Sequence, residues 1–211
     1  MPAGERETAP KRTGRRPGAT VSRQAILQAA RTRFAEQGYG GASLRAIAQD
    51  AGVDAALVHH FFGSKEGLFA ASMQETLHPR TVVAGVLDGG AGGAGERLLR
   101  AFLRLWEGEE TSQQMRGILR SAVPHEAAAR MLREFITGEV LTPVAEALGG
   151  DAPRVRASLV ASQLVGLAMT RYLVRVEPLA AMTRDEVVAA VAPTVQGYLT
   201  GPLGAWPPAS G

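Results

Sequence analysis

The chain has 211 residues, of which 45% are hydrophobic and 20% charged, a composition typical of a soluble protein with one or two domains. It has no cysteine, which excludes disulfide bonds, thiolate zinc sites and cysteine catalysis. Residues 1–66 carry ten Lys or Arg against six Asp or Glu, whereas residues 67–211 carry thirteen against fourteen. The basic excess therefore lies near the N-terminus, as a phosphate-binding surface requires.

The first twenty residues show no hydrophobic periodicity and are predicted to form a flexible arm. The segment Met1 to Arg23 is polar and has no apolar core, so no signal peptide is predicted in it. Two interpretations of its basic cluster remain open: a solvated tail, or an arm that contacts phosphates or enters a minor groove. The cluster comprises Lys11, Arg12, Arg15 and Arg16.

The first helix is predicted from Ser22 to Gln37, with Gly38 as its stop. Its apolar residues recur at helical spacing and define one inward face. That face consists of Ile26, Ala29, Ala30 and Phe34.

Two short helices separated by a tight turn follow, and the rest of the chain is interpreted around them. Ser43 is predicted to cap the first of these helices, and Gly52 to end it with a positive φ. Asp54 is predicted to cap the second, Ala55 to Phe62, and Ser64 to cap a further helix. This arrangement is a helix-turn-helix, which presents the outer side of its second helix to a DNA major groove.

The residues that carry a family resemblance are Ile26-Leu27, Ala29-Ala30, Phe34, Gly38-Tyr39, Ile47-Ala48, Ala51-Gly52-Val53, His59-His60-Phe61-Phe62 and Gly63-Ser64-Lys65-Glu66-Gly67-Leu68. With them, the stretch from Ser22 to Phe69 resembles the DNA-binding segment of the tetracycline-repressor (TetR) family of bacterial regulators. The resemblance implies an all-α fold with an N-terminal three-helix DNA-binding domain and a larger C-terminal helical domain for ligand binding and dimerisation. One departure is His59, which stands where the family usually has a tyrosine that touches phosphate.

The predicted DNA contacts come from the arm, the second helix, the exposed side of the third helix and the start of the fourth. Arg45 sits where some family members place a groove-contacting arginine, and it would reach guanine or a phosphate. Small apolar side chains on the third helix would meet thymine methyl groups, and His60 would donate to a base or a phosphate. Ser43, His59 and Lys65 are the expected phosphate contacts. The full predicted set is Arg15, Arg16, Ser43, Arg45, Asp54, Ala55, Ala56, Leu57, His59, His60 and Lys65.

The remainder of the chain predicts helices throughout, since no alternating apolar pattern indicates a strand. Pro143 is expected to kink or interrupt one long helix, Asp151 to cap the next, and Thr183 with Glu186 to form a capping box for the last. The most apolar run, Ala157 to Val176, has polar interruptions and is predicted as a buried helix rather than a membrane span. The predicted helices cover residues 65–77, 79–86, 96–107, 112–122, 124–148, 151–176 and 183–199.

Metal and catalytic sites are not predicted. His59 and His60 are adjacent on one helix and point about 100° apart, while His78 and His125 are isolated. The chain has neither HExxH spacing nor a Gly-x-Ser-x-Gly elbow. We therefore expect no enzyme activity and no cofactor.

A helix-turn-helix that reads a palindrome needs two copies, so a homodimer is expected. The family resemblance implies a four-helix interface built from the last two long helices of each subunit. The alternative is that both helices belong only to the core of their own chain. The predicted dimer contacts are Leu159, Gly166, Met169, Leu173, Val191, Val195 and Tyr198.

The resemblance also implies a small-molecule effector in a cavity among the middle helices, where it changes the spacing of the two DNA-binding domains. Residues at such positions are also explained as ordinary core. The sequence does not identify the effector. The predicted lining residues are Phe102, Trp106, Met115, Leu119, Phe135, Gln163 and Tyr172.

Taken together, the sequence predicts a cytoplasmic, homodimeric, ligand-responsive transcription regulator, with repression favoured, that binds double-stranded operator DNA and no membrane. Two alternatives are an architectural DNA-binding protein without a ligand and a small-molecule-binding helical protein with a vestigial helix-turn-helix. The predicted division is a basic arm over residues 1–20, a helix-turn-helix domain over 21–66, a ligand-binding and dimerisation domain over 67–201 and a loose tail over 202–211.

Overall fold

The computed structural model describes residues 17–204 of the chain. The four basic residues of the predicted arm and residues 205–211 of the predicted tail lie outside this range. Every regular element within it is helical, which confirms the all-α prediction. The helices are α1 (Pro17–Gly41), α2 (Leu44–Asp50), α3 (Ala55–Phe62), α4 (Lys65–Leu77), α5 (Pro79–Leu87), α6 (Ala94–Glu107), α7 (Glu109–Ala122), α8 (Glu126–Glu134), a first π-helical segment (Phe135–Leu141), α9 (Thr142–Ala147), α10 (Pro153–Ala168), a second π-helical segment (Met169–Leu173) and α11 (Arg184–Thr200).

Helices α2, α3 and α4 begin directly after the predicted N-capping residues Ser43, Asp54 and Ser64. The Ser43 hydroxyl accepts the Ala46 amide at 3.2 Å, and the Ser64 hydroxyl accepts the Gly67 amide at 3.1 Å. Gly38 has φ 69° and breaks α1, as predicted, although a further helical turn follows it to Gly41. Helix α1 also begins earlier than predicted, at Pro17, a residue type that is favoured in a first helical turn.

Two hydrophobic clusters form the core. The first begins among the N-terminal helices with Ile26 and Phe69 and continues without a break to Trp106, Met115 and Phe135. Its residues come from α1–α4 and from α6–α8, the first π-helical segment and α10, so the N-terminal helices share a core with the body of the protein. The second cluster joins α5, α6, the first π-helical segment, α9, α10 and α11.

The predicted helix over residues 124–148 is interrupted, but the irregular stretch precedes Pro143 instead of lying at it. The π-helical segment Phe135–Leu141 occupies the middle of this helix, and Pro143 falls at the start of α9, where a missing amide proton costs little. Likewise, α10 does not continue as one regular helix to Val176, because it becomes π-helical over Met169–Leu173.

The prediction that Asp151 caps α10 is wrong, because the N-cap position is Ala152, with φ 45°. The Asp151 carboxylate instead pairs with Arg156, which is only 4% exposed. The Arg156 Nη1 also donates to the Tyr198 and Gly201 carbonyl oxygens at 2.9 and 3.0 Å. A buried guanidinium that needs a counterion thus outcompetes a helix N-terminus for this carboxylate.

The capping box of the last helix is confirmed. The Glu186 carboxylate accepts the Thr183 amide at 2.7 Å, and the Thr183 hydroxyl accepts the Glu186 amide at 3.3 Å. The first of these bonds lowers the pKa of Glu186 below its usual range. Within residues 17–204, no helix is both long enough and apolar enough to cross a bilayer.

Candidate nucleic-acid interface

Helix α3 lies on the surface and is anchored by one buried side chain. Val58 is 1% exposed and faces the first hydrophobic cluster, whereas Ala56, His59 and His60 are exposed. The Asp54 carboxylate accepts the Ala56 amide at 2.7 Å and so fixes the start of the helix. The predicted residues Ala55 and Leu57 are half-buried, and Ala55 packs against the first hydrophobic cluster.

The start of α2 and the start of α4 flank this helix. Ser43 and Arg45 are exposed at the beginning of α2, and Lys65 is half-buried at the beginning of α4. The structure thus places the predicted contacts from Ser43 to Lys65 on three consecutive helices. Arg15 and Arg16 of the predicted set lie outside the described residues.

Lys65 is held in place by an aromatic ring. Its ammonium group lies 4.6 Å from the centroid of the Tyr39 ring, within cation–π range, and partial burial lowers its pKa. The Tyr39 hydroxyl donates to the Glu66 carboxylate at 2.6 Å. Burial of the ring, assisted by this bond, raises the pKa of Tyr39 to about 12, and the same bond lowers that of Glu66.

The His59 ring has one nitrogen already engaged within the protein. Its Nδ1 lies 3.0 Å from the Gly63 carbonyl oxygen, an acceptor that requires the proton to be on Nδ1. In the neutral ring, Nε2 is then an acceptor and has no hydrogen for a phosphate. His59 can therefore donate to DNA through Nε2 only as the imidazolium. In this respect it differs from the tyrosine usual at this position.

Two contacts that support the interface were not predicted from the sequence. The Arg33 guanidinium forms a bidentate pair with Asp50, at 2.5 Å from Nε and 2.9 Å from Nη2, and thereby ties α1 to the end of α2. The Arg23 guanidinium lies 5.3 Å from the centroid of the Phe62 ring and so connects α1 to α3. Both pairs join residues distant in sequence, so helical periodicity within one element gives no signal for them.

A small apolar chamber of about 90 Å³ lies among the middle helices. Of the predicted ligand contacts, Phe102, Met115 and Phe135 line it, whereas Trp106, Leu119, Gln163 and Tyr172 do not. Trp106 instead stacks on Tyr172, with ring centroids 5.1 Å apart and planes 6° from parallel. The other lining residues are Leu77, Val82, Leu98, Leu105, Leu132, Ile136, Val140, Leu141, Ala161, Leu164 and Val165.

The predicted dimer contacts divide between the surface and the core. Val195 is fully buried within its own chain, so it has no surface to offer a partner. Gly166 is exposed and lines a shallow groove between α10 and α11 together with Val191. The remaining predicted contacts are half-buried: Leu159, Met169, Leu173 and Tyr198.

A three-helix unit with capped α2 and α3, a tight turn at Gly52 (φ 65°) and an exposed outer face on α3 defines a helix-turn-helix protein of the class that reads DNA. The model of bacterial regulatory proteins of the tetR family matches residues 26–72, and the model of the tetracyclin repressor-like C-terminal domain matches residues 93–199. The chain belongs to the tetracycline-repressor (TetR) family of transcriptional regulators.

One solved structure and two curated proteins that are similar to this chain are also transcriptional regulators. A TetR-family regulator from Streptomyces coelicolor is 41% identical, with a TM-score of 0.62 over 88% of this chain and 98% of that one. The repressor AcnR of Corynebacterium glutamicum is 46% identical over 56 residues, 26% of this chain. The regulator BetI of Rhizobium meliloti is 42% identical over 57 residues, 27% of this chain. These matches span only 30% and 28% of the two curated proteins.

The likeness to more distant solved structures extends over most of the chain but concerns the fold alone. NalD of Pseudomonas aeruginosa, described as the secondary repressor of the MexAB-OprM multidrug efflux pump, is 21% identical, with a TM-score of 0.62 over 88% of this chain and 98% of that one. Members of the family are transcriptional regulators rather than enzymes; they bind DNA and act as dimers.

Proposed function

We propose that the protein is a homodimeric transcriptional repressor that binds a two-part operator through α3 and releases it when a small molecule binds in the body of each subunit. The exposure of α3 is the observation that carries this proposal. Its apolar side is anchored by Val58, so the outer side is free to enter a major groove. The chamber beside α7 supports the ligand-dependent part.

Selection of bound sequences from random duplex DNA, at two salt concentrations, tests the proposal. We expect enrichment of a palindrome whose half-sites are about one helical turn apart, with affinity that falls as salt rises. Binding without sequence preference would contradict it and favour an architectural role. The selected duplex then serves as the operator in the measurements below.

Arg45→Ala is expected to lower specific operator affinity by roughly 1–3 kcal/mol, because one guanidinium can make two hydrogen bonds to guanine. Arg45 is exposed, so the melting temperature should change little. A gel-shift titration against the selected duplex measures the loss. Arg133→Ala, an exposed arginine on α8, is the matched control and should bind as the wild type does. Equal affinities for the two variants would remove Arg45 from the interface.

Gly166→Arg is expected to convert the dimer to a monomer at micromolar concentration while leaving the fold intact. A Cβ at Gly166 meets no atom within 4 Å in the single chain, and the position is exposed, so a larger side chain there should clash only with a partner subunit. Sedimentation velocity measures the change. Gly138→Arg, equally open and exposed on the first π-helical segment, is the control and should stay dimeric. A dimeric Gly166→Arg variant would place the interface elsewhere.

A further inference from the structure

Two adjacent cavities differ in character. The chamber described above is lined only by apolar residues, and its neighbour is an open groove of about 380 Å³ between α4, α5, α6 and α7. Leu77, Val82 and Leu105 line both, so the two spaces are adjacent. The groove is otherwise lined by Thr76, His78, Thr81, Gly85, Arg97, Arg100, Ala101, Arg104 and Thr111.

The groove is cationic, and its three arginines differ in how far they are already neutralised. Arg97 donates to the Val86 and Gly92 carbonyl oxygens at 2.7 and 2.8 Å and also to Gly90. Arg100 pairs with two carboxylates, Glu96 at 2.8 Å and Asp185 at 2.7 Å. Both are thus occupied by groups of the protein.

Arg104 is different, because it is exposed and forms no ion pair within residues 17–204. It follows Arg100 by four positions, so it lies one helical turn further along the same face of α6. None of the twelve residues that line the groove is Asp or Glu. The groove therefore offers a cation without a counterion beside an apolar chamber.

We propose that the effector is an amphipathic anion, with a short apolar tail in the chamber and a carboxylate or phosphate head on Arg104. This inference rests on the proposed function for the role of the ligand as effector. A chamber without polar side chains penalises any polar group buried in it, because no hydrogen bond replaces the lost hydration. An unpaired guanidinium outside it favours an anion over an alcohol or a cation.

The size of the chamber limits the tail. An apolar cavity of about 150 Å³ is known to hold a benzene molecule. The chamber has about 90 Å³, so it accepts fewer carbons than a benzene ring has, and the carbons next to the head group would lie in the adjacent groove. A tail of roughly four to eight carbons fits both volumes.

Isothermal titration of the wild-type dimer with octanoate, octan-1-ol and octylammonium tests the assignment. We expect octanoate to bind roughly three- to tenfold more tightly than octan-1-ol, and octylammonium to bind least. Arg104→Ala should reduce the affinity for octanoate to that for octan-1-ol. Arg133→Ala should leave the affinities for all three ligands unchanged. Arg104 is exposed, so its replacement leaves the core intact.

Ala161→Phe tests the tail independently, since Ala161 lines the chamber and a larger side chain would fill it. The variant should bind octanoate and octan-1-ol less tightly than the wild type does, by similar factors. Equal affinity for all three ligands, or a carboxylate preference that survives Arg104→Ala, would overturn the proposal. Octyl phosphate, with a tail of matched length, in place of octanoate then separates the two possible head groups.

The selected operator duplex keeps this inference distinct from the proposed function. Selective octanoate binding that also releases the duplex supports both. If octanoate binds selectively but leaves the complex intact, the site stands and release by this ligand class is refuted. If octanoate fails to bind while the duplex is still bound specifically, the anion site is refuted and the DNA-binding function stands.

Discussion

Phe69→Ala is expected to lower the free energy of unfolding by roughly 3–5 kcal/mol, as is typical for removal of a fully buried phenyl ring. The ring is 0% exposed and contacts Phe34 and Tyr39 edge-on, at centroid distances of 4.9 and 5.2 Å. Small domains have only about 5–15 kcal/mol of stability, so much of the variant would unfold near physiological temperature. Operator binding should be lost with it.

The shared core makes this loss global. Phe69 belongs to the same cluster as Trp106 and Met115, so the DNA-binding helices and the body should melt in one transition. Thermal unfolding followed by far-ultraviolet circular dichroism measures it. Phe61→Ala, at a half-buried ring on α3, is the matched control and should cost clearly less. Two separate wild-type transitions, or a larger loss for Phe61→Ala, would refute a continuous core.

Gly117→Ala is expected to destabilise the protein by roughly 2–3 kcal/mol, because α7 crosses α1 at this residue without room for a methyl group. A Cβ there would lie 2.6 Å from the Ala35 Cα and 2.7 Å from the Phe34 carbonyl oxygen. These are backbone atoms, so no side-chain rotation relieves the clash and the helices must separate. Chemical denaturation with urea measures the change.

Gly85→Ala provides the comparison for this prediction. Gly85 lies inside α5 and a Cβ there meets nothing within 4 Å, so alanine should stabilise the helix by up to about 1 kcal/mol. Opposite signs for the two variants are expected. Similar small effects would mean that α1 and α7 can move apart at little cost.

The crossing at Gly117 is reinforced by hydrogen bonds that sequence analysis did not anticipate. The Tyr39 amide donates to the Ser121 hydroxyl at 2.7 Å, and the Arg120 Nη2 donates to the Ala35 carbonyl oxygen at 3.3 Å. The Gly117→Ala variant should therefore also bind the selected operator less tightly, because the separated helices would displace α3 relative to the body.

The DNA-binding region was largely predictable because its signals are local. Ser43, Asp54 and Ser64 each cap the helix directly after them, and Gly52 and Gly63 adopt the positive φ that a turn between short helices needs. A cap and its helix lie within four residues of each other. Sequence spacing is then a sufficient guide to structure.

The body was less predictable because its departures depend on tertiary contacts. The π-helical segments keep the apolar residues of an ordinary helix, so periodicity does not distinguish them. Trp106 and Tyr172 were predicted as ligand contacts, yet they stack on each other instead of lining the chamber. Which side chains line this cavity depends on how seven elements pack, and the sequence of one helix does not contain that information.

The continuous first cluster, which joins α1–α4 to α6–α8, has a mechanical consequence. If α3 were joined to the body through a flexible hinge, a small shift of the body would not displace α3 from the operator. Here α1 and α7 are in backbone contact, and close-packed interiors transmit displacement instead of yielding to it. We therefore expect helices α1–α4 to rotate as a rigid body about a point near Gly117. A sub-ångström shift around the chamber would then produce a larger displacement at α3.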